Sequence, residues 1–208
     1  MWVRKRKSRG YTLVEMAAVT VIAAGLTAVA LPIAQQQISQ AKKANAVEET
    51  KQLGTAVMRF WNDTGGLPNA ADIDGDGDVD VNDMPIEVLF TGVYDPVNNI
   101  STLPADSTGT WTPATVLKMS VMNFLVVNDP DLDGFPDDAY ANWGGPYIGV
   151  AKEETALDPW GHSYLINVNE NYPIIVISAG PDGRIDTSRN QPINSFTVQG
   201  DDIVVRIR

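Results

Sequence analysis

The sequence predicts an α+β fold, in which one long N-terminal helix packs on a small antiparallel β-sheet and a loop-rich insertion separates the two. Three observations lead to this prediction. An uncharged apolar stretch near the N-terminus continues into an amphipathic helical pattern. An acidic middle segment follows, and short runs rich in Ile and Val alternate with turn residues near the C-terminus. The 208 residues suffice for one domain with an appendage.

The composition excludes several classes of function. There are 26 acidic and 15 basic residues, for a net charge of −11, which argues against a nucleic-acid binder because phosphate contacts need clustered Lys and Arg. The absence of cysteine excludes disulfides and thiolate metal sites. The single histidine, His162, excludes a multi-histidine zinc site and makes a Ser-His-Asp triad a poor fit. Since no nucleophile–base pair is identifiable, we predict that the chain is not an enzyme.

The first 34 residues have the pattern of a membrane helix behind a basic head. Residues 1–10 contain five of the 15 basic residues, and residues 16–34 are 19 residues without a charge. As a helix this stretch spans about 28 Å, close to the thickness of a bilayer's hydrocarbon core. The positive flank predicts that residues 1–10 stay in the cytoplasm while the rest crosses. A buried helix of a soluble domain fits the adjacent cations poorly.

A cleaved secretory signal is the more serious alternative, but the helical pattern does not stop where its cleavage site would be. It continues from residues 11–34 into a polar segment, residues 35–62, that we assign to the head. Turn formers at residues 62–66 end it, and Pro32 predicts a kink or local melting because it cannot donate to the carbonyl of Ala28. The apolar stripe that would pack on the head consists of Val47, Leu53, Val57, Phe60 and Trp61.

Glu15 is the anomaly in the apolar stretch. A carboxylate just inside a membrane span costs a few kcal/mol, so it is expected to have a partner. The alternative is that its side chain extends to the headgroup level. Residues 9–16, RGYTLVEM, resemble the class III signal of type IV pilins and type II secretion pseudopilins.

This resemblance implies that a prepilin peptidase cleaves between Gly10 and Tyr11 and N-methylates the new first residue. Residues 1–10 would then be a leader peptide; the family usually has Phe where this chain has Tyr11. Glu15 becomes the fifth mature residue, which in the family pairs with the N-terminal amine of a neighbouring subunit. Such a pair fixes the axial register more than it adds stability. Pro32 also matches a proline of the family.

The C-terminal part resembles one branch of this family, the major pseudopilin of type II secretion. The resemblance lies in residues 143–147, WGGPY, and 157–164, LDPWGHSY, with the turn at residues 63–68. It implies a pilin-like fold and a homo-oligomeric helical filament, anchored in the inner membrane by one span with the head in the periplasm. The implied partners are minor pseudopilins, the prepilin peptidase and the inner-membrane secretion platform. Two alternatives stay open: a pilin of a surface type IV pilus, and a membrane-anchored, dockerin-like calcium-dependent binding module.

The sheet is predicted from three runs of β-formers in the last segment, residues 143–208. Residues 164–169 and 173–178 flank a turn, and residues 203–208 alternate as a strand with one buried face. Trp160 is expected to anchor the core within a turn. In the insertion, residues 63–142, Pro85 is expected to open a short helix through Phe90.

Residues 72–83 of the insertion have the spacing of a calcium-binding loop. Their acidic residues recur at alternate positions, Gly77 occupies the sixth position, and Val79 is apolar at the eighth. Hard cations take six to eight oxygens, and a loop of this kind wraps them around one point. The predicted Ca²⁺ ligands are Asp72, Asp74, Asp76, Asp78 through its carbonyl, Asp80 and Asp83.

Two further calcium sites are expected. Residues 129–138 repeat the acidic pattern, with Asp129, Asp131, Asp133 and Asp137 as ligands, and the alternative there is a solvated acidic turn. The other rests on the resemblance alone, since the family has a calcium-binding C-terminal loop. That loop implies the side chains of Asp182 and of Asp201 or Asp202 as ligands, with the carbonyls of Ala179 and Arg184.

Overall fold

The computed structural model describes residues 11–69, 86–95, 100–112, 118–129, 140, 142–149 and 156–208. The chain divides into two compact units, Met1–Ala41 and Lys42–Arg208, which are described separately below. The first helix, α1, spans Leu13–Thr64 and has 52 residues, which confirms the long helix predicted from the sequence. It ends at Gly65, whose φ of +81° is the left-handed conformation typical of a helix C-terminus.

The helix is assigned without interruption through Pro32. Local melting at this position is therefore not observed, and the predicted kink stays a prediction. Residues 11–41 of this unit are all exposed.

The unit Lys42–Arg208 contains the end of α1, a sheet and several short strand pairs. A short helix, α2, is N-capped by Ser120, whose side chain accepts the amide of Met122. Two 3₁₀ turns lie at Gly180–Asp182 and Ile193–Ser195. The remaining elements described here are β1 (Val88–Phe90), β2 (Tyr94–Asp95), β3 (Ile100–Ser101), β4 (Ala105–Asp106), β5 (Lys118–Ser120), α2 (Val121–Leu125), β6 (Leu165–Asn167), β7 (Ile175–Ser178), β8 (Arg184–Ile185) and β9 (Ile203–Arg206).

The main sheet has five strands in the order β5-β1-β6-β7-β9. The three strands predicted from the sequence, β6, β7 and β9, pair antiparallel as expected. The sheet is nevertheless mixed, because the insertion adds β1 and β5, which pair parallel to each other. The predicted helix through Phe90 is wrong: Val88–Phe90 is a strand with all three residues buried. A short apolar run buried on both sides does not distinguish strand from helix.

Both faces of the sheet are covered. Ile166 pairs with Val176, and both belong to a buried cluster that includes Val57 and Phe60 of α1. This confirms that the amphipathic half of the helix packs on the sheet. Leu165 and its neighbours point to the opposite face and form a second buried cluster.

The second cluster corrects two expectations about the core. Strand β9 was expected to bury one face, but Val204 packs on the second cluster while Ile207, just beyond the strand, packs on the first. Trp160 was expected to anchor the core, but it is only partly buried and belongs to neither cluster. The fully buried indole is that of Trp111, from the insertion, and it packs in the second cluster. The insertion therefore supplies core as well as loops.

Candidate functional site

The N-terminal unit presents an apolar helical surface. Leu13 is 90% exposed and Val21 is 72% exposed. Within the described residues, α1 is the helix long and apolar enough to cross a membrane, and the apolar window is 0% buried. Such a surface requires lipid or other copies of the chain to cover it, because isolated soluble proteins rarely expose contiguous apolar area of this size.

Glu15 has a local partner that the sequence analysis overlooked. Its carboxylate accepts the backbone amide of Thr12 at 2.8 Å and the Thr12 hydroxyl at 2.9 Å, while the Thr12 hydroxyl accepts the Glu15 amide at 3.2 Å. This reciprocal arrangement is a capping box at the start of α1, and the Thr-x-x-Glu spacing could have predicted it. Tyr11 is 83% exposed, and Gly10 lies outside the described residues.

The residues implied for the C-terminal calcium loop lie close together. Strands β7 and β9 pair with Ser178 opposite Ile203, so the turn after β7 lies beside the residues that precede β9. Gly180 is in close contact with this segment: at its φ of +69°, an added Cβ would lie 2.4 Å from the carbonyl oxygen of Asp201. A glycine is therefore required for the two segments to approach.

Asp202 is the best candidate ligand of this loop. It is 8% exposed, and its Oδ2 accepts the amides of Asp186 and Thr187 at 3.0 and 2.7 Å. Its Oδ1 is buried and has no hydrogen-bond partner. Burial raises the pKa of Asp202, and the hydrogen bonds from Thr187 and Asp186 only partly offset this effect. An unpaired buried carboxylate oxygen is costly unless a donor or cation satisfies it.

The other implied ligands lie in the turn after β7 and in β8. Asp182 is exposed, and its Oδ1 accepts the amide of Arg184 at 2.9 Å. The carbonyls of Gly183 and Ile185 accept amides on one side of β8, so the carbonyl of Arg184 points to the other side. Ala179 is fully buried beneath the turn.

These residues fit a cation that takes backbone oxygens as well as carboxylates. Where the structure describes the chain, no three His, Cys, Asp or Glu side chains converge into a metal-binding group. Hard cations such as calcium accept carbonyl oxygens, which makes a site with one or two carboxylates chemically suitable. Of the two neighbouring aspartates, Asp202 is the buried one, and its Oδ1 is buried without a hydrogen-bond partner.

Of the ligands predicted in the two acidic runs of the insertion, only Asp129 is among the described residues. The backbone amide of Asp129 donates to the carbonyl of Asn123 at 2.7 Å. The other predicted ligands lie outside the described residues: Asp72, Asp74, Asp76, Asp78, Asp80, Asp83, Asp131, Asp133 and Asp137.

A second carboxylate that the sequence analysis did not single out, Asp158, organises the loop before β6. It is 3% exposed; its Oδ1 accepts the amides of Trp160 and His162, and its Oδ2 accepts the Ser178 hydroxyl at 2.7 Å. The ring of His162 lies against Gly183. Asp158 therefore joins this loop to the end of β7, next to the C-terminal turn.

Asp106 is a third carboxylate with a structural role, and it lies in the insertion. Its two oxygens accept six hydrogen bonds, from the backbone and side chains of residues 108–112. Burial alone would raise the pKa of Asp106, but the hydrogen bonds from Thr108, Thr112 and Trp111 outweigh it, so the pKa is lowered. The run Asp-Ser-Thr-Gly-Thr is rich in turn formers and could have indicated such a loop.

The long helix α1, apolar and exposed at its start and packed on a small sheet at its end, fits a pilin-like α+β arrangement. Residues 131–195 match the family described as type II secretion system (T2SS), protein G. This match confirms the resemblance to the major pseudopilin and supports a type II secretion pseudopilin subunit. It includes Asp158 and Asp182, whereas Glu15 and Asp202 lie outside it. No curated protein and no solved structure gives a match.

Proposed function

We propose that this chain is a structural subunit of a periplasmic type II secretion pseudopilus, assembled from a pool in the inner membrane. The observation that carries the proposal is the helix α1, which is apolar and exposed over its first part and forms the core of a folded head over its last part. A filament in which the apolar parts of many copies pack together would cover this surface. The family matched by residues 131–195 agrees with such a role.

The proposal includes processing by a prepilin peptidase between Gly10 and Tyr11, with N-methylation of Tyr11. The test is mass spectrometry of the N-terminal peptide of the protein purified from membranes. A mature chain that begins with N-methyl-tyrosine is the expected result. Retention of Met1, or a start near residue 31, would exclude this processing.

We further propose that Glu15 directs assembly by accepting the N-terminal amine of a neighbouring subunit. In the free subunit the Thr12 amide and hydroxyl already satisfy this carboxylate, so the amine would take their place. Breaking a buried ion pair costs about 3 kcal/mol or more, and Glu15→Gln should therefore abolish most filament formation.

The experiment on Glu15 measures sheared or crosslinked filaments and secretion in cells that express each variant. Two matched controls separate assembly from other effects. Thr12→Ala removes the cap but keeps the carboxylate, and Glu170→Gln removes an exposed carboxylate in the head. Both should assemble. Normal filaments from Glu15→Gln would contradict the proposed pairing.

In the C-terminal loop, we propose that Asp182 and Asp202 bind calcium together with the carbonyls of Ala179 and Arg184. When bound, the ion would neutralise the carboxylates and link the turn after β7 to the start of β9. The unpaired Oδ1 of Asp202 supports this assignment. The acidic runs at residues 72–83 and 129–138 are proposed as additional sites.

Deletion of the gene distinguishes this function from that of a surface pilus. We expect the deletion to stop type II secretion, and we expect filaments of the wild-type chain to be confined to the periplasm. Fibres outside the cell, with secretion unaffected by the deletion, would favour a surface pilin. Minor pseudopilins and the inner-membrane platform would then copurify with crosslinked subunits only in the first case.

A further inference from the structure

Residues 105–112 of the insertion contact β8, the strand that follows the turn at Gly180–Asp182. We call residues 105–112 the clasp. Strand β4, at the start of the clasp, pairs parallel with β8. The amide of Ala105 donates to the carbonyl of Gly183 at 3.1 Å, and the amide of Ser107 donates to the carbonyl of Ile185 at 3.0 Å. The clasp therefore occupies one edge of β8.

Side chains extend this contact beyond the strand. The Ser107 hydroxyl donates to Oδ1 of Asp186 at 2.6 Å, and the buried indole N–H of Trp111 donates to the carbonyl of Thr187 at 2.8 Å. In the opposite direction, Nε of Arg189 donates to the carbonyl of Thr110 at 2.5 Å. Contacts thus recur along residues 183–189, the segment that also supplies two amides to Asp202.

The clasp has its own internal support, because the six hydrogen bonds accepted by Asp106 fix the backbone of residues 108–112. Trp111 adds a fully buried side chain to the second cluster, which also contains Ile185. Hydrogen bonds between two flexible loops add little order, whereas these join the loop to a rigid, buried element.

We propose that the clasp orders residues 183–189 before any cation binds, and that the calcium affinity of the C-terminal loop depends on the clasp. The second part of this proposal, on calcium affinity, rests on the calcium site proposed above. A cation that binds only the ordered loop has its apparent affinity reduced by the fraction of molecules in which the loop is ordered. The clasp keeps that fraction near one.

The test compares the full chain in detergent micelles with the double variant Ser107→Ala/Trp111→Phe. This variant loses the Ser107 hydroxyl and the indole N–H but keeps an aromatic ring in the second cluster. The matched control is Val57→Ala, which lowers stability from the cluster on the other face of the sheet. Hydrogen exchange of peptides covering residues 105–112 and 184–189 is followed in EDTA and in calcium, and calcium binding is measured by titration calorimetry.

The wild-type peptides should be protected in EDTA, with little further protection from calcium. The double variant should lose nearly all of this protection in EDTA and bind calcium about tenfold more weakly, since an ordered fraction of about one tenth leaves the peptides almost unprotected and raises the apparent Kd by that factor. The Val57→Ala chain should match the wild type in both measurements at a temperature below its unfolding transition.

Two results would overturn the proposal: wild-type peptides that exchange freely in EDTA and become protected only in calcium, or a double variant with unchanged protection. A wild-type chain that binds no calcium at millimolar concentration would refute the calcium site alone. The exchange comparison in EDTA would still decide whether the clasp orders the loop.

Discussion

Asp106 and Asp202 lie in two loops of the same head and differ in how their carboxylates are satisfied. Both oxygens of Asp106 accept hydrogen bonds, six in all. Asp202 accepts two amides on one oxygen and leaves the other buried and unpaired. Groups of the chain itself satisfy both oxygens of Asp106, whereas Oδ1 of Asp202 needs an additional positive group or a proton.

The pKa values of Asp106 and Asp202 shift in opposite directions because the balance between burial and hydrogen bonding differs at the two sites. Burial opposes the charge of both groups, but the donors around Asp106 outweigh it and lower its pKa, whereas burial prevails at Asp202 and raises its pKa. The comparison teaches that a buried carboxylate in a loop of this chain is a ligand candidate when hydrogen-bond donors do not satisfy both of its oxygens. The count of nearby acidic residues is less informative, because the described residues hold no three-member acidic cluster.

The largest effect is expected from Asp106→Ala. It removes the acceptor of six donors, several of them in a half-buried loop, so we expect a loss of about 3 kcal/mol in the free energy of unfolding. Denaturant unfolding of the full chain in micelles, with and without calcium, is the measurement. The loss should be present in EDTA and somewhat larger in calcium, because the clasp that Asp106 supports is proposed to strengthen calcium binding. A loss confined to calcium would show that Asp106 acts only through the cation.

The next effect is the loss of calcium stabilisation in Asp202→Asn. With calcium at 100 times its Kd, binding to the wild type adds about 2.7 kcal/mol, and we expect the variant to lose this gain. In EDTA the same variant should lie within about 1 kcal/mol of the wild type, because a neutral amide relieves the unpaired charge. Equal unfolding of wild type with and without calcium would contradict the calcium role.

The smallest effect is a pH dependence with opposite signs at the two sites. The raised pKa of Asp202 gives stability that is full below its ordinary value of 3.8 and is lost as the pH rises through the folded-state value. The lowered pKa of Asp106 gives stability that is present above its ordinary value of 3.8 and is lost as the pH falls through the folded-state value. Calcium competes with the proton on Asp202 and should remove the first loss.

The measurement is Tm across this acidic range in EDTA and in calcium, with an expected change of a few degrees. The difference in Tm between calcium and EDTA should increase with pH in the wild type. The same difference should be smaller and should increase less with pH in Asp202→Asn, where only the other proposed calcium ligands remain. A flat difference in the wild type would contradict the assignment of Asp202.

The sequence allows the long helix and three of the five strands to be predicted, because both depend on local periodicity. Strand β1 is missed because three consecutive buried residues have no period. The clasp is missed for a different reason: Trp111 donates to Thr187, 76 residues away, and no local pattern encodes that partner. The C-terminal loop is predicted through resemblance, but the choice of Asp202 over Asp201 needs the burial of the Asp202 carboxylate, which no sequence pattern shows.

The cap formed by Thr12 and Glu15 has a consequence for how a membrane-stored subunit would be used. A subunit whose Glu15 carboxylate already accepts two hydrogen bonds from Thr12 can wait in lipid without aggregating through that group. Joining a filament would then exchange one set of donors for another, which keeps the net driving force small. Such a balance favours filaments that assemble and disassemble readily, so that a limited number of subunits in the membrane can be used for repeated rounds of assembly.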